Sequence, residues 1–151
     1  MPRPPLVPLP ALALVLVGGA LGTTARALLE SAYGADPGRW PWTTWAINIT
    51  GSFALGLLTA TLSHLPGSRQ AGRLRWSLGT GLIGGFTTYS TFVLEVHQLA
   101  IGGHLALATG YLLASLVLGV AAAAAGAALG HRWVGRWAQL RAASAGHRGG
   151  R

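Results

Sequence analysis

Lysine and cysteine are both missing from this 151-residue chain, acids number only 3, and methionine occurs once, at position 1. Without cysteine there is no disulfide, no thiolate metal site and no cysteine nucleophile. A single Met also leaves soft-metal transport without thioether ligands. Charge is scarce: 9% of residues are charged, against roughly 25% in an ordinary soluble domain. A water-facing surface cannot be built from so few ionised groups. The 51% hydrophobic content and mean hydropathy of +0.47 point instead to a membrane. All 11 basic residues are Arg, and the formal net charge is +8. Such an excess would suggest nucleic acid if a soluble face existed on which to cluster it. None exists, so no nucleic-acid partner is expected.

What is present is a set of four apolar stretches, at about residues 11–33, 42–64, 76–99 and 104–131, each near the roughly 20 helical residues a bilayer crossing needs. The chain is therefore read as an all-α integral membrane protein with a four-helix domain over residues 1–131 and a basic, disordered tail over 132–151. Arg3 ahead of the first stretch resembles a signal peptide, but Gly18, Gly19 and Gly22 lead into Arg26 without a cleavage site, so the helix is read as retained. Tyr33-Gly34-Ala35-Asp36-Pro37-Gly38, Pro66-Gly67-Ser68-Arg69 and Gly102-Gly103 supply the turns. Trp40, Trp42 and Trp45 mark one end of the spans and Trp76, Trp133 and Trp137 the other, as expected of rings anchored at headgroup depth.

An even number of crossings puts both termini and the loop between the second and third spans on one side. That side holds Arg3, Arg69, Arg73, Arg75, Arg132, Arg136, Arg141, Arg148 and Arg151; the other holds Arg39 and Arg26. The positive-inside rule then places both termini in the cytoplasm, in a multi-pass protein of a bacterial inner membrane. The basic tail is expected to meet anionic lipid.

Function should reside in the few polar groups that are costly to bury in lipid. Thr44, Asn48, Ser52, Gly56, Thr59 and Ser63 recur at steps of three or four and form one stripe along the second helix. Small residues in such a stripe are usually a packing seam. Asn48 stands apart, with an amide that needs partners. In the third span, Gly84-Gly85-Phe86 precedes five consecutive hydroxyl residues, Thr87 to Thr91. That run is poor continuous helix, and a break in mid-membrane survives only where it is buried or lines a solute site. Tyr89 and Phe92 stand one turn apart on one face, Glu95 lies near the end of the span, and Tyr111 and Ser115 are one turn apart in the fourth span.

Three segments in this order, Gly18-Gly19-x-x-Gly22-x-x-x-Arg26, Asn48-x-x-Gly51-Ser52-Phe53-x-x-Gly56 and Gly84-Gly85-Phe86-Thr87-Thr88-Tyr89-Ser90-Thr91-Phe92, resemble the CrcB/Fluc fluoride channels over about residues 11–119. The resemblance implies a passive fluoride exporter built as an antiparallel dimer of four-helix subunits, with a structural sodium ion at the dimer centre. By that resemblance Phe92 is one of two pore aromatics and Tyr89 takes the place of the other, normally Phe. Asn48 is the pore amide, Arg26 the vestibule arginine, Glu95 a carboxylate near the pore exit, and Tyr111 and Ser115 begin a polar track on the fourth helix. Thr88, Ser90 and Thr91 add hydroxyl donors, while the carbonyls of Gly84 and Thr87 match the positions that hold sodium. A strongly hydrated anion needs such donors in place of its water, and aromatic ring edges carry the partial positive charge that faces it.

Two departures accompany the match. Gly119 and Ala123 leave the far half of the polar track without side-chain donors. The arginine bias is also larger than a sequence inserting both ways would carry, so the expected partner is an oppositely oriented paralogue, with an antiparallel homodimer as the other possibility. A small multidrug-type proton-coupled exporter is the alternative function, but it wants a mid-membrane carboxylate, and Glu30 and Glu95 both lie toward span ends. A non-transporting scaffold leaves the hydroxyl-rich break unexplained. Enzyme chemistry lacks its groups: His64, His97, His104, His131 and His147 are scattered and no carboxylates are paired.

Overall fold

The computed structural model describes residues 8–65 and 68–146, with side chains through residue 136. Arg3, the Pro66-Gly67 part of the second turn, His147, Arg148 and Arg151 lie outside the described residues, as do the side chains of Trp137 and Arg141. Every regular element among the described residues is helical.

Helix α1 (Leu9–Ala32) starts at Pro8 and Pro10, where a missing N–H costs nothing because the first turn has no carbonyl to receive it. It ends before the Gly- and Pro-rich loop that leads to Pro41. Helix α2 (Trp42–Ser63) follows, with Thr43 Oγ1 donating to the Tyr33 carbonyl across the loop. Ser68 then caps α3 (Arg69–Leu74), its hydroxyl accepting the Ala71 N–H at 3.0 Å. The chain continues without interruption through a π-helical segment, Arg75–Ile83, into a last turn of α-helix, α4 (Gly84–Phe86). Thr87 leaves the helix with ψ 155°, and α5 (Ser90–Ile101) begins three residues later. Gly103, at φ +83°, makes the tight turn into α6 (Leu105–Gly146).

Three of these helices, α1, α2 and the Leu105–Arg136 part of α6, are long and apolar enough to cross a membrane. Where the sequence reading expects a helix over 76–99, the described residues hold two helical pieces, 69–86 and 90–101, on either side of residues 87–89. The expected disordered tail is corrected: α6 runs on through residues 132–146. Ala, Leu, Arg and Gln are strong helix formers and no Pro interrupts them. Its 42 residues extend about 63 Å, roughly twice a hydrocarbon core.

Packing is by backbone contact rather than side-chain interdigitation. A Cβ on Gly22 of α1 would lie 2.1 Å from the Leu82 carbonyl oxygen, and one on Gly18 would lie 2.2 Å from that of Ser77. The π-helical segment is thus pressed against α1 with no side chain between them. Helices α2 and α6 meet the same way: a Cβ on Gly56 would sit 2.1 Å from the Ala123 carbonyl, and one on Gly126 2.1 Å from that of Phe53. In lipid, where apolar side chains gain little by leaving hydrocarbon, close approach of this kind is what holds helices together. The polar stripe of α2 is therefore partly the seam expected at Gly56, and the small residues at Gly119, Ala123, Gly126 and Gly130 are the other half of it.

The tryptophans divide. Trp42, Trp76 and Trp133 are exposed, as anchors should be. Trp40 and Trp45 instead turn inward against Tyr111, Phe92 and Leu99, with the Trp40 and Tyr111 rings edge-on at 5.3 Å. Pro41, at φ −78° and ψ 75°, makes a tight turn between Trp40 and α2, in which the Trp42 N–H donates to the Trp40 carbonyl at 2.9 Å.

The seam makes a paired prediction. Gly126→Ala forces a Cβ into backbone and is expected to lower the thermal midpoint of the detergent-solubilised protein, at the roughly 1–3 kcal/mol typical of overpacking. Gly135→Ala, with nothing within 4 Å, is expected to hold or raise it through better helix propensity. Equal midpoints for the two variants count against the seam.

Candidate functional site

The site is organised around the three residues that leave the helix. In a continuing helix the Thr88 N–H would bond to the Gly84 carbonyl. Here it donates to Asn48 Oδ1 at 2.9 Å, and Asn48 Nδ2 donates to the Thr88 carbonyl at 2.9 Å. One α2 side chain thus satisfies both backbone groups of the residue at the break. Gly51, one turn along α2 from Asn48, has no Cβ because the Thr87 methyl occupies that space, 2.2 Å from where it would be. Thr88 then starts the next helix: its Oγ1 accepts the Thr91 N–H at 3.2 Å, donates to Thr91 Oγ1 at 3.1 Å and lies 3.4 Å from Ser90 Oγ. Ser90 and Thr91 are thereby drawn into the cap of α5.

On the far side of the break the Gly85 carbonyl accepts from Arg26 Nε and Thr23 Oγ1, both at 3.4 Å. Arg26 Nη1 also pairs with Glu30 at 3.0 Å, half-buried. A guanidinium at the carboxyl end of a helix complements the exposed carbonyls there, so Arg26 ties α1 to the end of α4 as well as carrying charge. The Gly84 carbonyl, deprived of the Thr88 N–H, and the Thr87 carbonyl remain as backbone oxygens on this segment, with Gly84 exposed.

Beyond the clamp, polar groups line up along α5. A cavity of about 340 Å³ is bounded by Asn48, Ser52, Thr88, Tyr89, Phe92 and Ser115, among others. Tyr89 is 80% exposed at its edge and Phe92 only 9%. Their ring centroids are 6.4 Å apart. The Ser115 hydroxyl is buried and has no protein partner. One turn past Phe92, Glu95 faces a second cavity of about 610 Å³ formed with Asp36, Arg39, Gln98 and His104 at the loop end of the bundle. Both Glu95 oxygens are engaged, Oε1 by the Thr44 hydroxyl at 2.6 Å and Oε2 by the Tyr111 hydroxyl at 2.8 Å. Tyr111 is fully buried, its ring 5.2 Å from that of Phe92.

Most of the residues singled out in the sequence are therefore brought together: Asn48, Thr88, Tyr89, Phe92 and Ser115 at one cavity, with Tyr111 and Glu95 adjoining. Arg26 sits apart, on the opposite face of the break. Thr44 was visible only as a member of the α2 stripe. Its spacing, one turn before Asn48 on the same face, is the signal that could have marked it as a partner for the carboxylate.

Fold and site together define a small helical membrane protein whose polar groups are gathered inside the bundle around a break in one helix. The chain matches the CrcB-like protein, Camphor Resistance (CrcB) family over residues 13–127, and it belongs to that family. It is 45% identical over 112 residues to fluoride-specific ion channel FluC 1 of Mycobacterium bovis, covering 74% of this chain and 83% of that one. It is likewise 45% identical over 122 residues to fluoride-specific ion channel FluC of Agrobacterium fabrum, covering 79% and 94%. With FluC 2 of Nocardia farcinica it shares 41% over 127 residues, covering 80% and 89%.

Removing the clamp tests its role. Asn48→Ala leaves two backbone groups unpaired, at about 1–3 kcal/mol each where buried, and should speed hydrogen exchange at the Thr88 amide. Asn48→Asp keeps an acceptor for the Thr88 N–H but sets a carboxylate oxygen against the Thr88 carbonyl, so it should destabilise the protein while leaving the Thr88 amide better protected than in Asn48→Ala. A Thr88 amide equally protected in Asn48→Ala means that the clamp does not hold the break.

Proposed function

We propose that the chain is a subunit of a fluoride-selective channel that lets the anion leave the cell passively and so relieves its toxicity. The observation that carries this reading is the cavity at the break, where an unpartnered buried Ser115 hydroxyl and the Asn48 amide face the rings of Tyr89 and Phe92. Fluoride is small and holds water tightly, so it enters only where donors replace that water. After its two bonds to Thr88, Asn48 keeps one N–H to offer, and Ser115 keeps its O–H. Ring edges supply further positive potential without a mobile charge. Support also comes from the relatives named as fluoride-specific channels.

In this reading residues 69–101 are the third of four crossings, taken as two half-helices, and the protein resides in a bacterial inner membrane. Two subunits pack antiparallel. The Gly84 and Thr87 carbonyls of each would hold a structural sodium ion, giving four hard oxygen ligands of the kind that cation takes. The fit rests on the diversion of the Thr88 N–H to Asn48, which leaves the Gly84 carbonyl free to ligate. A cation there supplies a fixed positive field between the pores. The break's glycines meanwhile hold the backbone, and Tyr111 and Thr44 keep Glu95 turned away from Phe92's cavity and toward the loop end. That double restraint also weighs against a proton-coupled exporter, whose carboxylate must release its partners to exchange a proton for a drug. Enzymatic chemistry forms no part of this function.

The nine arginines on one side against two on the other support a single orientation, both termini in the cytoplasm, with an oppositely inserted paralogue as preferred partner. Membrane lipid covers the remaining apolar surface.

Reconstituted in liposomes with such a partner, the chain is expected to release fluoride, read with an ion electrode, and to retain chloride. Phe92→Ile and Asn48→Asp should each abolish the flux through this subunit's pore. No fluoride efflux from correctly inserted protein, alone or with the partner, would falsify the channel reading. Topology reporters fused to both ends should give one population, cytoplasmic at each terminus. Two equal populations sink the paralogue requirement and favour the homodimer.

A further inference from the structure

At the end of the α2–α6 seam remote from Glu95, two histidines meet. His64 ends α2, and His131 follows Gly130 of α6. The imidazole Nε2 of His64 is 3.2 Å from Nδ1 of His131, and the rings stand nearly perpendicular, at 80°. Zinc bound to imidazole at 2.0–2.1 Å sets two such nitrogens about 3.3 Å apart in a tetrahedral shell. The observed spacing is that of a bidentate metal chelate as well as that of a hydrogen bond. One tautomer change separates two states: without metal a ring proton lies between the nitrogens, and with metal both present lone pairs and carry their protons on the other nitrogen.

The backbone holds the pair in this register. A Cβ on Gly130 would lie 2.8 Å from the Ala60 Cβ and 3.0 Å from the Leu57 carbonyl, so the helix axes beneath the two rings cannot drift apart or together by much without breaking the seam. Both histidines are exposed and His131 borders a groove of about 380 Å³, which leaves room for water as the remaining ligands. Among the described residues no cluster of three His, Asp or Glu exists, so no carboxylate adds charge. Arg75, bonded to the Leu62 carbonyl at 3.4 Å, and Arg132 are the nearby cations. Neutral imidazoles without oxygen anions select borderline transition metals over calcium or magnesium.

We infer that His64 and His131 form a divalent transition-metal site, of the zinc class, that clips the ends of α2 and α6 together. The site is independent of the channel reading, and its test needs no flux. Tag-free full-length protein in detergent should bind zinc by isothermal titration at one ion per chain. Bound cobalt should show the visible absorption of a nitrogen-ligated ion. His64→Gln and His131→Gln should each weaken zinc binding by about tenfold or more, a loss that even outer-shell changes produce at metal sites, while His97→Gln should leave it unchanged. Because both rings are exposed, the Gln variants should melt as the parent does without metal, and only the parent should gain a higher midpoint on adding zinc. No zinc binding by the parent, or equal binding by the His64→Gln variant, overturns the site. If a Gln variant does not fold, a cobalt spectrum of the parent lacking nitrogen ligation overturns it equally.

Discussion

Two hydrogen bonds between Asn48 and the backbone of Thr88 make the rest of this structure possible. Where a helix stops and another restarts, the peptide groups between them lose their helical partners and need others. The amide of Asn48 presents a donor and an acceptor at the spacing of a peptide edge, so it replaces the missing helical neighbours of one residue on both sides. Once Thr88 is fixed, the consequences propagate. Its hydroxyl starts α5, α5 presents Phe92 and Glu95 one turn apart, and these define the inner and loop-end cavities. The arrangement also explains why an asparagine suits the position better than serine or threonine. A single hydroxyl that bridges the N–H and C=O of one residue has no proton left, whereas the amide keeps a second N–H.

Around that clamp, the glycines set distances. The helix pairs α1 with 75–86, and α2 with α6, touch backbone to backbone. The first seam brings the Gly85 carbonyl within reach of Thr23 and Arg26, and Gly51, against the Thr87 methyl, lets α2 approach closely enough for Asn48 to reach Thr88. The same compactness accounts for the π-helical segment. Its wider turns carry Gly79 and Gly81, residues with no side chain to crowd a neighbouring helix.

Much of this was legible in the residues. The hydroxyl run after Gly84-Gly85 marked the break because five hydroxyl side chains and two glycines disfavour helix where nothing else would stop it. Asn48 stood out as an amide in an otherwise small and apolar stripe. Less legible was how each group would be used. Spacing alone places Ser90 and Thr91 near the break, but only geometry shows them joined to Thr88 in a cap. Arg26 was read as a vestibule arginine, but the sequence does not reveal that Glu30, one turn on, and the Gly85 carbonyl share its guanidinium. The tail after residue 131 looked unstructured by its Gly, Ser and Arg content, yet local helix propensity carries α6 as far as Gly146. Trp40 and Trp45 looked like lipid anchors because composition cannot show that both pack against the cluster around Tyr111.

The pairing of the helices bears on how the chain is made. Contacts between α1 and α2, neighbours in sequence, are sparse, whereas α1 packs on residues 75–86 and α2 on α6. Synthesis delivers segments from the amino terminus onward. Helix α1 thus enters the bilayer without its mate and waits until residue 75 and beyond have been made, and α2 waits until α6 has emerged. During that interval the glycine faces of both helices, flat and without side chains, lie open to lipid or to the insertion machinery. The α1 pair can close once residues 75–86 have followed, the α2 pair only when α6 has emerged, so Tyr111 and Ser115 are the last groups to join the polar interior.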